Sequence, residues 1–363
     1  MSIHIAIRRS KDNFAQNNSP AADGKNPTLA DVAAAAGVST PTVSKVLRGA
    51  TDVSFVTRER VVRIAQEMGY AKTKRSQAVG RLPANAPRLV DLVVSNIGGS
   101  WPNSILTGVE EAAAVADCDV VLTIARPDRD WVGRLLRRPS TGAIVVLVDP
   151  TSTQLSALDA AGIPVVLIDP MSPAPRSAAS VGVANWEGGR IAAEHLLSLG
   201  HKHFGLIGGV KNHLYSRARL DGFRSALSAM DLHVEPRLIG AADWNRDEAR
   251  DFAVDILDRE DRPTAIFAAS DMMALGVYDA VRYLGLDIPG DVSVVGFDDV
   301  PEATWATPQL TTVRQPIQEM GATAFRMLLR LTNQREGIDP NTDGPRIELA
   351  TRLITRGSTS SPA

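Results

Sequence analysis

What the chain lacks narrows its chemistry first. It has one cysteine, Cys118, which excludes an internal disulfide and any multi-cysteine metal cluster. No run approaches the roughly 18 apolar residues of a membrane span. Met1–Ser19 carries Arg8, Arg9 and Lys11 without an apolar segment, so it does not read as a secretory leader. No Gly-x4-Gly-Lys-Ser/Thr phosphate loop or Gly-x-Ser-x-Gly nucleophile elbow occurs, and Gly205–Gly209 lacks dinucleotide-binding spacing. His201 and His203 form His-x-His with no cysteine or acidic cluster beside them, so no metal site is expected. Asp298 and Asp299 are adjacent at a strand end, where neighbouring side chains point apart and make no acid–base pair. The expectation is a soluble, cytoplasmic, non-enzymatic protein without cofactor or metal.

What is present is charge, unevenly placed. Fourteen basic against six acidic residues between Met1 and Arg88 give that head a charge of +8. The chain's net −2 then leaves −10 on the remainder. A basic head on an acidic body fits a polyanion partner for the head alone. By itself this charge would also suit RNA binding or a solubilising role. With 363 residues, 44% of them hydrophobic, the chain can bury a large core and exceeds one ordinary domain.

Residues 1–27 are polar and aperiodic and read as a disordered tail. Three short helical patterns occupy 28–70, and 71–88, basic and then rich in Pro and Ala, reads as a linker. From Leu89 the pattern changes. Apolar runs at Leu89–Val94, Val120–Ile124, Ala143–Val148, Val165–Ile168, Phe204–Ile207, Ala265–Phe267 and Val292–Val295 suit strands buried on both faces. Between them, helical patterns at Ile105–Ala116, Glu187–Leu199, Arg217–Met230, Asp247–Leu257 and Asp271–Leu284 give parallel βαβ units. About 270 residues of this exceed one sheet of ordinary size, so two lobes are expected.

Thr28–Leu47 is the most informative segment. Thr28 can cap a first helix, with Asp31 favourable against its dipole and Leu29, Val32, Ala33 and Ala36 as its apolar stripe. Gly37 sits where the chain must turn sharply. Ser39 can cap a second helix, Pro41 suits its first turn, and Val43, Val46 and Leu47 face inward. Small Ala33, Gly37 and Val43 let the two helices cross closely. Thr40, Pro41, Ser44 and Lys45 are left projecting outward, suited to the major groove. The bland alternative is a buried helical hairpin with a polar face. It weakens because the segment opens a basic domain, with Thr57 placed to cap a third helix over Arg58–Met68.

Thr28–Tyr70 resembles the DNA-binding headpiece of the lac repressor/galactose repressor family, through Thr28-Leu-x-Asp-Val-Ala33, Ala36-Gly-Val-Ser39, Thr42-Val-Ser-x-Val-Leu47 and Gly69-Tyr70. The resemblance implies that Thr40, Pro41, Ser44 and Lys45 read base edges and that Thr28, Ser39, Thr42 and Arg58 lie near phosphates. Members usually continue with a Pro-Asn-x-x-Ala-Arg-x-Leu hinge whose leucine wedges into the minor groove. Here Ala71–Gly80 lacks that Pro-Asn, and Val79 stands at the leucine position, where a valine wedge into the minor groove is one reading. Lys72, Lys74 and Arg75 are expected to bind phosphates electrostatically instead.

Residues 89–357 resemble the periplasmic-binding-protein-like core of the same family. The matching stretches include Ser216-Arg-Ala-Arg-Leu-Asp-Gly-Phe223, Ala269-Ser-Asp-x2-Ala-Leu-Gly276, Val294-Val-Gly-Phe-Asp-Asp299 and Leu310-Thr-Thr-Val-Arg-Gln315. The expected architecture is α/β: a small all-helical headpiece and two doubly wound lobes, about 89–184 with 315–343 and about 185–314 with 344–357, before a tail at 358–363. Ligands in such sheets sit at the carboxyl ends of strands. Arg217 precedes a helix, and Asp298 and Ser270 end strands. The resemblance places all three at effector-contacting positions, with Asn185 and Trp244 lining the cleft. Trp101, Trp186 and Trp244 suit stacking on sugar faces, or else loop anchoring or a dimer interface, the last more so for Trp305. Arg219 and Asp299 are expected to form a lobe-internal pair.

The resulting expectation is a homodimeric repressor of sugar-utilisation genes. It would bind a palindromic operator in double-stranded DNA, associate with the nucleoid when bound, and answer allosterically to a small-molecule effector, a sugar. No heptad extension for tetramer formation follows Arg356. A sugar-binding transport protein would need an export signal and no headpiece, and a Rossmann-type enzyme would turn its ligand over.

Overall fold

The structure, a computed structural model, describes residues 27–47, 53–68, 88–333 and 343–362. The chain divides into two units, residues 1–76 and 77–363.

In the first unit, α1 (Leu29–Ala36), α2 (Thr40–Leu47) and α3 (Phe55–Glu67) enclose Val32, Ala33, Ala36, Val43, Val46, Val61 and Ala65. Thr28 and Asp31 form a reciprocal capping box at α1, and the Thr28 hydroxyl holds the Asp31 carboxyl below its usual range. Gly37 ends α1 at φ 62, a left-handed turn that only glycine enters without strain. The third helix starts earlier than expected. Ser54, not Thr57, is its cap, its Oγ accepting the Thr57 amide at 3.4 Å.

The second unit alternates strands and helices as the apolar runs predicted. In chain order its first lobe contains β1 (Arg88–Val94), α4 (Ser100–Val115), β2 (Cys118–Ile124), α5 (Trp131–Leu135), β3 (Gly142–Val146), α6 (Ser152–Ala160), β4 (Val165–Ile168) and β5 (Ala179–Val183). The chain then crosses to α7 (Asn185–Ser198), β6 (Phe204–Gly208), α8 (Leu214–Ser228), β7 (Ile239–Ala241), α9 (Arg246–Leu257), β8 (Ala265–Ala268), α10 (Asp271–Leu284), β9 (Ser293–Asp298), α11 (Glu302–Trp305) and β10 (Thr311–Arg314). It returns for α12 (Ile317–Asn333) and β11 (Arg346–Leu349), and crosses a third time to β12 (Arg352–Ile354).

The two six-stranded sheets run β11-β5-β4-β3-β1-β2 and β12-β10-β9-β8-β6-β7, parallel throughout except for the β10–β12 pair. The third crossing therefore falls at 350–351 rather than 343/344. Residues Arg346–Leu349 pair in register with Ser180–Val183 of the first lobe.

The expected tail at 358–363 is also corrected, since residues 358–362 are built into the second lobe. Ser358 is fully buried, accepts the Val294 amide at 2.8 Å and donates its hydroxyl to the Val294 carbonyl at 2.6 Å. His201, discounted as a metal ligand, holds this segment. Its Nε2 meets the Ser360 carbonyl at 2.9 Å and Ser293 Oγ at 3.1 Å, while Nδ1 meets Thr264 Oγ1 at 2.9 Å. A carbonyl only accepts, so Nε2 carries a proton, and burial favours the neutral ring. Burial lowers its pKa, against the opposing Ser360 carbonyl. The stability this ring supplies is therefore present above the usual pH 6.5 and lost as pH falls below it. In thermal melts between pH 7.5 and 5.5, His201→Gln should flatten the decline. An unchanged slope would show that other groups cause it.

Candidate functional site

The first candidate site is the outward face of α2. Ser39 Oγ accepts the Thr42 amide at 3.3 Å and lies 2.8 Å from Thr42 Oγ1, so these two hydroxyls fix the start of the helix. Thr28 is likewise tied to Asp31 at 2.7 Å. Thr40, Pro41 and Lys45 are exposed and Ser44 is half-buried, all away from buried Val43 and Val46. Arg58 lies on α3, its side chain outside the description, and Lys72, Lys74, Arg75 and Val79 lie outside the described residues.

The second site lies between the lobes of the second unit, at the carboxyl ends of β4, β6, β8 and β9, where open parallel sheets gather ligands. Its centre is Arg219. This guanidinium is 3% exposed and donates to Asn185 Oδ1 at 2.8 Å, the Ala269 carbonyl at 2.6 Å and Asp298 Oδ1 at 3.3 Å. It also lies 3.8 Å from the Phe297 ring centroid, with Tyr215 and Trp244 at 5.8 and 5.7 Å. Asp298 is buried, stands at φ 118 and also accepts from Gln315 Nε2. Burial raises its pKa to about 6 against the opposing pull of Arg219.

These contacts revise two expectations. Arg217 is exposed, and it is Arg219 that is buried among the strand ends. In α8 the buried side chains are Tyr215, Ser216, Arg219, Leu220, Phe223, Ala226 and Leu227, and position 217 falls outside that helical stripe. Nor does Arg219 pair with Asp299, which is held instead by Arg314 and Arg356. Arg219 pairs with Asp298 instead; both aspartates leave the strand at positive φ, 118 and 59, and their carboxylates go to different arginines.

The remaining expected residues divide between contact and support. Asn185 opens α7 and orients Arg219, while its amide donates to the Val183 carbonyl at 3.2 Å. Ser270 caps α10, accepting the Met273 amide at 3.2 Å. Trp244 occupies a left-handed turn at φ 60, with His213 stacked at 6.5 Å and Tyr215 at 5.2 Å. His213 Nδ1 lies 3.0 Å from Tyr215 Oη and 3.4 Å from Trp244 Nε1, and burial keeps this ring's pKa low. Trp101 is in the first turn of α4, partly buried against the first lobe's core, and Trp186 is in α7, 44% exposed; neither stands in a loop.

Asp169 was missed. It follows β4 at φ 43, is 5% exposed, and its carboxylate takes no hydrogen bond from any described residue. Burial raises its pKa to about 7; Arg219 opposes the shift, and Asp298 and Glu348 add to it. The lobes are also joined directly, by the Leu214 amide on the Met171 carbonyl at 2.9 Å and by Ser100 Oγ on Glu302 Oε1 at 2.6 Å.

Comparison with known proteins agrees with both units. Residues 28–72 match the model for bacterial regulatory proteins of the lacI family, and 193–359 match a periplasmic binding protein-like domain. The chain is 31% identical over 315 residues to the HTH-type transcriptional repressor PurR of Vibrio vulnificus, covering 85% of this chain and 93% of that one. It is 28% identical over 340 residues to catabolite control protein A of Priestia megaterium, covering 92% and 99%. Among solved structures, a transcriptional regulator CelR–cellobiose complex superposes with a TM-score of 0.70 at 31% identity, covering 92% of this chain and 99% of that one. The lac repressor dimer bound to operator and the anti-inducer ONPF gives 0.66 at 28%, covering 93% and 100%. With a helix-turn-helix headpiece and a two-lobed effector domain, the chain belongs to the lacI family of bacterial regulatory proteins.

Proposed function

We propose that this repressor dimer reads a pseudo-palindromic operator through α2 and is switched by a neutral sugar bound between the lobes around Arg219. The observation that carries the ligand class is the pair of buried carboxylates, Asp298 and Asp169, the latter without a hydrogen bond from any described residue, reaching the site from opposite lobes. Carboxylates accept from hydroxyls and repel phosphate. A phosphorylated effector would need a free second cation, yet Arg219 is committed to Asp298 and Arg246 to Asp279. The aromatic group of Tyr215, His213 and Trp244 offers a face for a sugar ring. Because the ligand would contact both lobes, it selects one lobe arrangement and so couples to the headpieces. Exposed Trp305 on α11 and Val115 and Leu122 on the first lobe suit a subunit interface.

Thermal shifts against free sugars, sugar phosphates and nucleosides test this. A neutral sugar at a hundredfold excess over Kd should stabilise the protein by about 2.7 kcal/mol and change operator affinity. A phosphorylated sugar or a nucleoside as the only hit would overturn the ligand class. The pH dependence follows from Asp169. A hydroxyl donating to this carboxylate favours its ionised form, so affinity should rise as pH passes upward through about 7. Asp169→Asn should weaken binding and remove that slope, read by titration calorimetry at pH 6 and 8.

A further inference from the structure

The outward face of α2 has an apolar centre, and from this we infer that Pro41 reads the C5-methyl group of a thymine in each operator half-site. The inference rests on the reading of α2 as the helix that enters the major groove. Buried Val43 and Val46 fix the inward direction of the helix. At about 100° per residue, Pro41 lies roughly 200° round from Val43 and roughly 140° from Val46, so it points away from both. It is exposed, in the first turn, where such helices approach base edges.

The chemistry of this position is restrictive. Proline has no amide hydrogen, and its ring offers neither donor nor acceptor. It cannot address the N7, O6, N6, O4 or N4 groups by which the major groove distinguishes base pairs. The one apolar feature displayed there is the thymine methyl. The closed ring has no side-chain rotamers to lose on docking, so a small contact is not offset by ordering a flexible group. Neighbouring hydroxyls do not replace the missing donor at this point. Ser39 and Thr42 lie at the cap and are tied to each other. Hydrogen-bond reading passes one turn along the helix to Ser44 and Lys45, while the Thr40 methyl can enlarge the apolar contact. The consequence is a half-site read at one position by a methyl group, indifferent to whether thymine or 5-methylcytosine carries it.

The test uses the full chain and an operator selected from random duplexes. Each thymine of the half-site is replaced in turn by deoxyuridine, which removes one methyl and nothing else, and affinity is read by fluorescence anisotropy at fixed salt. At one thymine, binding should weaken about fourfold per half-site, and 5-methylcytosine at the same place should be tolerated better than cytosine. Pro41→Ser should bind the thymine and deoxyuridine operators alike. If the wild-type chain binds every deoxyuridine operator as tightly as the parent, Pro41 does not read a methyl and only starts the helix, while α2 stands as the reading helix. If no sequence is selected at all, the reading of α2 falls with it.

Discussion

Arg219→Ala should destabilise the second unit by about 3 to 5 kcal/mol and abolish the effector response, while Arg217→Ala should leave both unchanged. The two arginines are two residues apart, yet one is exposed and the other 3% exposed among Asp298, Asn185 and the Ala269 carbonyl. Removing one partner of a buried ion pair costs more than the pair contributes, because the other charge stays buried without compensation. Asp298 would keep only Gln315, and the Ala269 carbonyl would lose the guanidinium's hydrogen bond. Such a loss lowers the melting temperature on the order of 10 °C in a domain of this size. Arg219→Lys separates folding from recognition. A point charge can stay near Asp298, but it cannot supply the fork that also engages Asn185. This variant should melt closer to wild type and still bind effector more weakly. Equal melting of Arg219→Ala and wild type, with the effector response retained, would remove Arg219 from the centre of the site.

The contrast between these arginines shows what was legible in the sequence. The headpiece was readable because its determinants are local. Capping pairs three residues apart, a glycine turn and an apolar stripe act within one helix or between neighbours. Buried parallel strands were readable as unbroken apolar runs, whereas β11 was not. Its alternating exposed and half-buried residues make an edge strand with little apolar signal, so its crossing was misplaced. The final segment read as a tail because hydroxyl-rich sequence is usually solvated. Here the buried start of β9, Ser293 and Val294, which β10 does not reach, takes up those polar groups together with Thr311, a long-range fact absent from composition. Helical phase could have chosen Arg219 over Arg217. Asp169 also had a signal, since it ends the run Val165–Ile168 as Asp298 ends its own. Its burial depends on the whole second unit and could not be read from either run alone.

Gly189→Ala should be strongly damaging for a single added methyl, at about 3 kcal/mol. A Cβ at Gly189 would stand 1.9 Å from the Arg219 carbonyl oxygen, and one at Gly222 would stand 1.8 Å from that of Trp186. Both obstacles are backbone atoms, which cannot rotate aside, so α7 and α8 would have to separate. Intrinsic propensity runs the other way. Alanine is favoured over glycine in a helix interior by about 0.8 to 1.0 kcal/mol. Overpacking typically costs about 1 to 3 kcal/mol, occasionally more, and a collision with backbone belongs at the upper end. The net sign is therefore destabilising. Gly98→Ala is the matched control, since only Asn96 Oδ1 lies near its Cβ, at 3.8 Å. Urea denaturation should show the Gly189 midpoint falling with an unchanged slope and the Gly98 midpoint nearly unmoved. The same crossing sets the site, because α7 presents Asn185 and α8 presents Arg219, 2.8 Å apart. Effector affinity should therefore fall in Gly189→Ala even under conditions where the variant is fully folded. A folded variant with wild-type affinity would mean that the helices separate without moving the guanidinium, and that the crossing serves stability alone.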